Sequence, residues 1–433
     1  MWAGANNGSF RSAATAVAEL AGVVLTEKQV RRLTIDAGAA AVTARDELVR
    51  AHFERPLMER LTPPSPAPRP RRVAVLMDGG RYQRRDRFAP RKDHPRFEAL
   101  REQFLEEGWC AKGDRSPGGR TESHWREERV GLILSLGGGE FQVDPHPEFP
   151  VWLVDAPVVR ELAKLAARDE SDEETEPRHD VADTDDVNTE RAESVGETGV
   201  ERVSVRSARG WPDIAPEVLS REVVASGQDA DSFGRLLEYR AWTSGLHAAE
   251  CGAFVADGLQ VNWTIHARHF SHLTGVLDLM HALSYAWRAA AGLSDPAAYR
   301  RFARAIWEGR VDAVIEELRG HLERLGPPPE APPTSDTRQR LAAAVTYYDN
   351  HRHLMNYPEY RRLGLPLTSS HVESAVKQIS ARVKGTEKFW TKPAAEALLQ
   401  LRADSLSDTR PLDRFWKLHR EHQTGANRYR PRT

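Results

Sequence analysis

The sequence predicts an α/β fold, because it alternates two kinds of segment. Short apolar runs bounded by glycine, proline or aspartate predict strands, and longer stretches with apolar residues at three- and four-residue spacing predict helices. The predicted strands are Val73–Met77, Arg129–Leu136, Pro150–Val154 and Cys251–Ala256. The predicted helices lie within residues 10–54, 230–249, 282–325, 370–384 and 393–406. At 433 residues with 40% hydrophobic content, the chain is long enough for two or three domains.

The N-terminal region is predicted to be helical, with Thr26 to Gln29 as a helix start. Residues 16–33 resemble a helix-turn-helix, and a plain helical packing region is the alternative, because no side chain there can be assigned to a base edge. A proline-rich stretch after these helices predicts a linker. The expected organisation is an N-terminal helical domain at 1–61, a linker at 62–70, a central α/β region at 71–168 and 201–281 split by an acidic insertion at 169–200, a helical insertion at 282–365, and a C-terminal part with a basic tail at 366–433.

Charge is strongly segregated along the chain, although the net charge is only −2. Residues 169–197 hold thirteen acidic residues against two arginines, a net of −11, which leaves about +9 on the remainder. This acidic stretch is expected to be disordered. Residues 68–101 and 376–433 each carry a net of +7. Basic stretches of this kind are an electrostatic footprint for a phosphate backbone, and solvated surface charge is the alternative.

The sequence contains neither a run of about 20 apolar residues nor a basic-then-apolar N-terminal segment, so we expect a cytoplasmic protein. The two cysteines, Cys110 and Cys251, lie outside any CxxC or Cys/His pattern. Neither a disulfide framework nor a structural zinc site is therefore expected, and both are predicted to be ordinary buried thiols.

Two of the predicted strands end in an Asp-Gly pair, at Asp78 and at Asp257. A carboxylate at the end of a strand is held by rigid backbone, while the glycine lets the chain turn away, so both positions suit a metal ligand. Asp-Gly is also an ordinary turn dipeptide, and that alternative stays open for each position taken alone.

Glu373 is the third candidate carboxylate. Ser370 to Glu373 fits a capping box, and Glu373 with Lys377 fits an exposed ion pair one helical turn apart. The third interpretation is a metal ligand followed by phosphate contacts on one helix face. The apolar stripe is formed by Val372, Val376, Ile379 and Val383, and the adjoining face by Glu373, Lys377, Ser380 and Lys384.

Several longer motifs resemble the ISKra-type bacterial insertion-sequence transposases, a group of DDE enzymes. The longest is MNYPEYRRLGLPLTSSHVESAVKQISARVKGTEKFW at 355–390. The others are MDGG at 77–80, HWREERVGLILSL at 124–136, ADGLQVNWTI at 256–265, LDLMHALSYAW at 277–287 and ALLQLRADSLSD at 397–408. The similarity as a whole extends over most of the chain outside the acidic insertion.

The resemblance implies an RNase H-like catalytic core, a mixed sheet flanked by helices. It implies that Asp78 on the first strand, Asp257 at the end of the fourth and Glu373 on a late helix are the catalytic carboxylates. It also implies that they bind Mg²⁺ or Mn²⁺, with two ions expected. Asp278 and His281 match an accessory Asp-x-x-His pair, and helix N-capping by Asp278 is the equally weighted alternative.

The implied function is cleavage at transposon ends and strand transfer into target DNA, by a homo-oligomer on double-stranded DNA at the nucleoid. No covalent protein–DNA intermediate is required. The expected DNA contacts are Lys377, Arg382, Lys384, Lys388 and Trp390. For Trp390, stacking on a base and packing in the core are both open. A domesticated non-catalytic DNA-binding protein and an RNase H-like nuclease that cuts without joining remain alternatives.

Overall fold

The computed structural model of the chain describes residues 1–64, 69–84, 125–173, 215–326, 336–385 and 388–423. The acidic insertion, Cys110 and the end of the basic tail fall largely or wholly outside these residues. The chain divides into two units. The first comprises Met1–Gly138, Glu217–Gly275 and Thr368–Thr433, and the second comprises Gly139–Pro216 and Val276–Leu367.

The described strands belong to a single sheet. They are β1 (Arg72–Arg84), β2 (Trp125–Leu136), β3 (Val218–Ser226), β4 (Cys251–Ala256), β5 (Thr274–Leu277) and β6 (Phe389–Trp390). The order across the sheet is β3-β2-β1-β4-β5, and β6 pairs with β1. Strands β1, β2 and β3 are antiparallel neighbours, whereas β4 and β6 run parallel to β1. The sheet is therefore mixed, and the α/β fold with flanking helices is confirmed.

Helices account for most of the remaining described residues. In the first unit they are α1 (Trp2–Asn6), α2 (Phe10–Ala21), α3 (Glu27–Phe53) and α4 (Leu57–Arg60). After α5 (Ala156–Glu173) of the second unit come α6 (Ala230–Thr243) and α7 (Gln260–His269) of the first. The second unit continues with α8 (Leu279–Ala291), α9 (Ala298–Trp307), α10 (Val311–Leu325), α11 (Thr337–His351) and α12 (Tyr357–Arg362). The first unit ends with α13 (Ser370–Val383), α14 (Lys392–Leu406) and α15 (Pro411–Gln423). Among the helices that the structure describes, none is both long enough and apolar enough to cross a membrane.

The two faces of β1 are covered by different helices. Val73, Val75 and Met77 point to one face and pack with a core that includes Phe233 of α6 and Phe254 of β4. The alternate residues point to the opposite face, because side chains alternate along a strand. Helix α13 packs on β1 and β2 there, and α14 packs beside it against β3.

Strand β1 does not end at Asp78, as the sequence predicted, but continues to Arg84. Gly79 and Gly80 still pair with Arg129 and Glu128 on β2. A strand is held by backbone hydrogen bonds, so it can extend beyond the apolar run from which it was predicted. The carboxylate of Asp78 therefore lies within a paired strand.

The N-terminal helix α3 packs onto α14, which in turn packs against β3. Gly38 of α3 allows the closest approach, since an added Cβ would lie 2.7 Å from the Cβ and carbonyl oxygen of Ala397. Buried Arg45 of α3 donates to Glu396 Oε1 and Gln400 Oε1, each at 2.9 Å. The predicted capping box at Thr26 and Gln29 is present at the start of α3. One face of α3 is thus a packing surface, and DNA reading by these helices stays a prediction.

The second unit is largely helical. Its buried Arg361 donates to Asp144 Oδ1 at 2.9 Å, and the guanidinium lies 3.9 Å from the centre of the Trp307 ring. The strand predicted at Pro150–Val154 is wrong, because Val151–Val154 forms a turn of 3₁₀-helix with Leu153 buried. A short apolar run between proline and aspartate can form either structure, and apolar content alone does not separate them.

Two mid-helix glycines should respond oppositely to alanine. Gly38→Ala places a methyl group against α14, so we expect the free energy of unfolding to fall by about 1–3 kcal/mol. Gly320→Ala on α10 meets nothing within 4 Å, and we expect a gain of about 0.5–1 kcal/mol from the lower backbone entropy of the unfolded chain. Urea unfolding of both variants measures the difference. Equal shifts would contradict the packing of α3 on α14.

Candidate functional site

Asp78 lies within β1, and Asp257 directly follows the last residue of the neighbouring parallel strand β4. Leu76 of β1 pairs with Val255 of β4, and each aspartate lies two residues further along its strand direction. Because side chains alternate along a strand, the Asp78 carboxylate leaves the sheet on the face of Leu76, which is also the face of Val255 on β4. Paired strands are about 4.8 Å apart, so the register places the backbone of Asp257, just past the end of β4, close to that of Asp78, on whose face α13 packs.

Each aspartate is oriented by local hydrogen bonds. Asp257 Oδ1 accepts from the amide of Leu259 at 2.9 Å and from Asn262 Nδ2 at 2.8 Å, and Trp263 Nε1 donates to the Asp257 carbonyl at 2.8 Å. Asp257 thus starts the turn into α7, which matches the turn alternative. Asp78 Oδ1 accepts from the amide of Gly79 at 2.7 Å within β1, so the turn alternative is wrong there.

Glu373 lies in the first turn of α13, on the same side of the sheet. The predicted capping box is wrong, because the N-cap is Ser369, which makes no side-chain cap, and the Glu373 amide donates to the Ser369 carbonyl at 3.2 Å. The predicted ion pair is present, with Lys377 Nζ 3.8 Å from Glu373 Oε2. The Lys377 side chain is 73% exposed, so this pair contributes only a few tenths of a kcal/mol, roughly 0.3.

Two hydrogen bonds show that α13 runs in the direction of β1. Ser380 Oγ, in the middle of the helix, lies 2.7 Å from Glu128 Oε1 of β2, and Glu128 pairs with Gly80 of β1. At the end of the helix, the Val383 carbonyl accepts from Trp390 Nε1 at 2.8 Å, and Trp390 pairs with the last residue of β1. Ser380 therefore lies level with Gly80, and the helix proceeds towards the end of β1.

This direction fixes the level of Glu373. It precedes Ser380 by seven residues, so it lies about 10 Å back along the helix axis. About three strand residues cover the same distance, because a strand rises about 3.3 Å per residue. Counting back from Gly80, Glu373 stands close to the level of Asp78. Glu373 thus lies at about the level of Asp78 on the face that α13 covers, and Asp257 lies next to Asp78 at the end of β4.

These carboxylates do not form a closed metal-binding cluster. Within the part of the chain that the structure describes, no three His, Cys, Asp or Glu side chains lie close enough together to hold a metal ion. The donor chemistry nevertheless fits Mg²⁺ or Mn²⁺, since Asp78 offers carboxylate oxygens from β1 and Asp257 from the turn after β4. A third ligand from Glu373 requires its side chain to leave Lys377 and turn towards the sheet.

Glu128 is a buried carboxylate at this site that our sequence reasoning missed. Its side chain is fully buried, and its Oε1 lies so close to Gly80 that an added Cβ would come within 2.5 Å of it. Burial raises the pKa of Glu128 to about 7, although the hydrogen bond from Ser380 and the charge of Lys384 oppose the shift. The signal was available, since Glu128 alternates with the apolar Val130 and Leu132 on one face of β2.

Among the predicted DNA contacts, three lysines are at least partly exposed. Lys377 and Lys384 are exposed, on the surface of α13 and just after it. Lys388 is half-buried, and its Nζ donates to the carbonyls of Ala381 and Arg382 at 3.1 and 3.3 Å. Burial lowers the pKa of the Lys388 ammonium. Lys377 and Lys384 are therefore the members of the set best placed to meet a phosphate.

Arg382 and Trp390 lie inside the protein. Arg382 Nε donates to the Gly4 carbonyl at 3.0 Å, and its guanidinium lies over the rings of Phe10 and Trp390 at 4.4 and 5.3 Å. Burial lowers the pKa of Arg382 to about 10. Trp390 is buried against Phe10, edge to face at 6.1 Å. Trp390 thus packs in the core, which was one of its two predicted roles. Neither Arg382 nor Trp390 belongs to the exposed cationic surface.

Asp278 and His281 lie in the second unit. Asp278 is fully buried, and its Oδ1 accepts from the His281 amide at 2.9 Å, which makes Asp278 the N-cap of α8. His281 Nδ1 lies 3.3 Å from the same oxygen. The N-cap alternative is thus present, and the accessory role stays a prediction.

Comparison of the chain with protein-family models and with curated proteins finds no match. The functional interpretation therefore depends on the geometry of the site and on the sequence motifs.

Replacing Glu128 by glutamine should change how stability depends on pH. The raised pKa means that folding favours the protonated carboxyl, so its contribution is present in acid and is lost as pH rises through about 7. Glutamine keeps the acceptor for Ser380 but cannot ionise. We expect Glu128→Gln to gain on the order of 2–3 kcal/mol over the wild type between pH 5.5 and 8.5.

Thermal unfolding across that pH range measures this difference. Glu127→Gln is the matched control, because Glu127 neighbours Glu128 on β2 and its side chain is 64% exposed. A constant difference between Glu128→Gln and the wild type would show that Glu128 does not titrate in this range.

Proposed function

We propose that this protein is a DDE transposase with an RNase H-like core, which cuts DNA at transposon ends and joins them to target DNA. The observation that carries the proposal is the register that sets Asp78 beside Asp257, under the helix that bears Glu373. The first described strand carries Asp78, Asp257 follows the fourth, and Glu373 lies on a helix after the fifth. This is the order that the resemblance to ISKra-type transposases implies.

Asp78, Asp257 and Glu373 would hold the divalent cations. When bound, two Mg²⁺ or Mn²⁺ ions supply charge neutralisation at the scissile phosphate and activation of the attacking oxygen. The backbone of β1 and the turn after β4 hold the two aspartates in fixed directions, and Asn262 restrains one oxygen of Asp257. The chain's own task is then to orient the phosphodiester for in-line displacement by water or by a DNA 3′-hydroxyl.

Lys377 and Lys384 would contact phosphates near the cut. Lys377 lies one helical turn after Glu373 on α13, and Lys384 lies just after the end of that helix. Phosphate contacts position the duplex without reading its sequence. Joining two transposon ends requires both in one complex, so we propose that the protein acts as a homo-oligomer on DNA.

A cleavage and joining assay tests the proposal. Purified protein is incubated with Mg²⁺ and a duplex carrying the DNA that flanks the gene on both sides, and nicked and joined products are separated. We expect Asp78→Asn, Asp257→Asn and Glu373→Gln each to lose about 100-fold or more of both activities, since each removes a charge that orients the reacting groups. Asp231→Asn, at an exposed carboxylate of α6, should retain them.

Three outcomes would contradict the proposal in different ways. Full activity of the three variants would remove the site assignment. Cutting without joining by the wild type would favour a nuclease. Binding to the duplex with neither nicked nor joined product would favour a non-catalytic DNA-binding protein.

DNA affinity should depend on salt through the exposed lysines. With the metal chelated, Lys377→Gln and Lys384→Gln should each lower the slope of log K against log salt by about 0.9. Lys164→Gln, an exposed lysine of α5 in the second unit, is the control and should leave the slope unchanged. Arg382→Gln should lower stability instead, because Arg382 is buried. A slope that changes with Arg382 and not with the two lysines would place the DNA elsewhere.

A further inference from the structure

We propose that Glu128, Ser380 and Gly80 form a positioning contact that fixes α13 along β1 and thereby sets the place of Glu373 relative to Asp78 and Asp257. The inference deepens the proposed function and rests on it. Glu128 and Ser380 are positioning residues, which act through Glu373 and need not touch metal or DNA.

The contact is a single directed hydrogen bond beneath the helix. Ser380 Oγ donates to Glu128 Oε1 at 2.7 Å, and Glu128 is fully buried between the sheet and α13. A buried carboxylate is costly, and apolar packing would fill this space at lower cost. The neighbouring Val130 and Leu132 on the same face of β2 are apolar. A carboxylate at this position accepts a directional hydrogen bond from α13, whereas apolar contacts are not directional.

Gly80 supplies the space for this carboxylate. An added Cβ at position 80 would lie 2.5 Å from Glu128 Oε1 and 3.1 Å from its Cγ. Any larger residue would push the Glu128 side chain away from the strand and towards the helix. The second glycine of the MDGG motif is thus explained by Glu128, whereas at Gly79 an added Cβ would make only ordinary contact, 3.6 Å from the Glu128 carbonyl oxygen.

Ser380 and Glu373 are two helical turns apart on one face of α13. An α-helix transmits a displacement along its axis with little loss, so a slip of α13 at Ser380 becomes an equal slip at Glu373. The Glu373 carboxylate contacts the exposed Lys377 ammonium, which is a weak restraint. A misplacement of 1 Å can reduce a rate about 100-fold when it moves a group that orients the reactants.

The lysine one turn beyond Ser380 contributes to the same arrangement. Burial raises the pKa of Glu128, and the charge of Lys384 opposes that shift. Lys384 follows the end of α13, whose last turn also receives the Lys388 ammonium on its carbonyls. The C-terminal half of α13 is therefore fastened by polar contacts, while its N-terminal half carries the proposed ligand.

The test measures Mn²⁺-dependent DNA cleavage for variants of this contact. Ser380→Ala removes the donor, and we expect about a 10- to 100-fold loss of kcat and a higher Mn²⁺ concentration for half-maximal rate, with an unchanged KM for DNA. Ser380→Thr keeps the hydroxyl and Glu128→Gln keeps the acceptor, so both should stay within about threefold of the wild type. Ser374→Ala, the same change on the exposed face of α13, should have no effect.

Two further measurements separate positioning from folding. The double variant Ser380→Ala/Glu128→Met removes both partners and leaves no buried polar atom without its donor, so it should unfold at the wild-type temperature and still need more Mn²⁺. Wild-type kinetics in this folded double variant would overturn the inference. The same holds if Ser380→Ala behaves like Ser374→Ala. If the wild type itself neither cuts nor joins DNA, the proposed function fails and the inference fails with it.

Discussion

The pairing of β1 with its neighbours determines where every carboxylate of the candidate site lies. The strand pairs with β2 on one side and β4 on the other, and its far end pairs with β6. The parallel register with β4 sets Asp257 beside Asp78. The antiparallel register with β2 sets Glu128 beside Gly80, and through Ser380 it sets the level of α13. A slip of one residue in either register would move a carboxylate to the other face of the sheet.

Buried ion pairs hold the helical layer on which this arrangement depends. Glu396 of α14 accepts from Arg45 of α3, from Ser226 Oγ at 2.6 Å and from the Gly227 amide at 2.9 Å. Nearby, burial raises the pKa of Glu222 and Asp404, and the guanidinium of Arg240 opposes both shifts. Removing one partner of a buried ion pair is strongly destabilising, because it leaves the other charge buried without compensation. These contacts therefore specify one position of α14 on β3, and α13 packs beside it.

The sequence predicted the elements better than it predicted their ends and contacts. Apolar periodicity found β2, β4 and α13 within a few residues, because burial of one face decides both the pattern and the element. The predicted β1 ended at Asp78, whereas the observed strand continues to Arg84. Backbone hydrogen bonds hold that extension, and they require no apolar side chains. The sequence pattern predicted Ser370 as the N-cap of α13, but the N-cap position is Ser369, which makes no side-chain cap. For Trp390 the pattern left base stacking and core packing both open. Glu128 was missed because the predicted strand began at Arg129, whereas β2 begins at Trp125 and carries Glu128 on its buried face.

Glu373 has two competing cationic partners under the proposed function, and magnitudes decide between them. The Lys377 ammonium is 73% exposed and 3.8 Å away, so water and salt screen most of its attraction and the pair contributes roughly 0.3 kcal/mol. A divalent cation would carry twice the charge, and the carboxylates of Asp78, Asp257 and Glu373 would hold it. Loss of the lysine contact is therefore a negligible cost, and the position of α13 along β1 becomes the factor that decides whether the Glu373 carboxylate can reach the site. That position is what the buried contact between Ser380 and Glu128 controls.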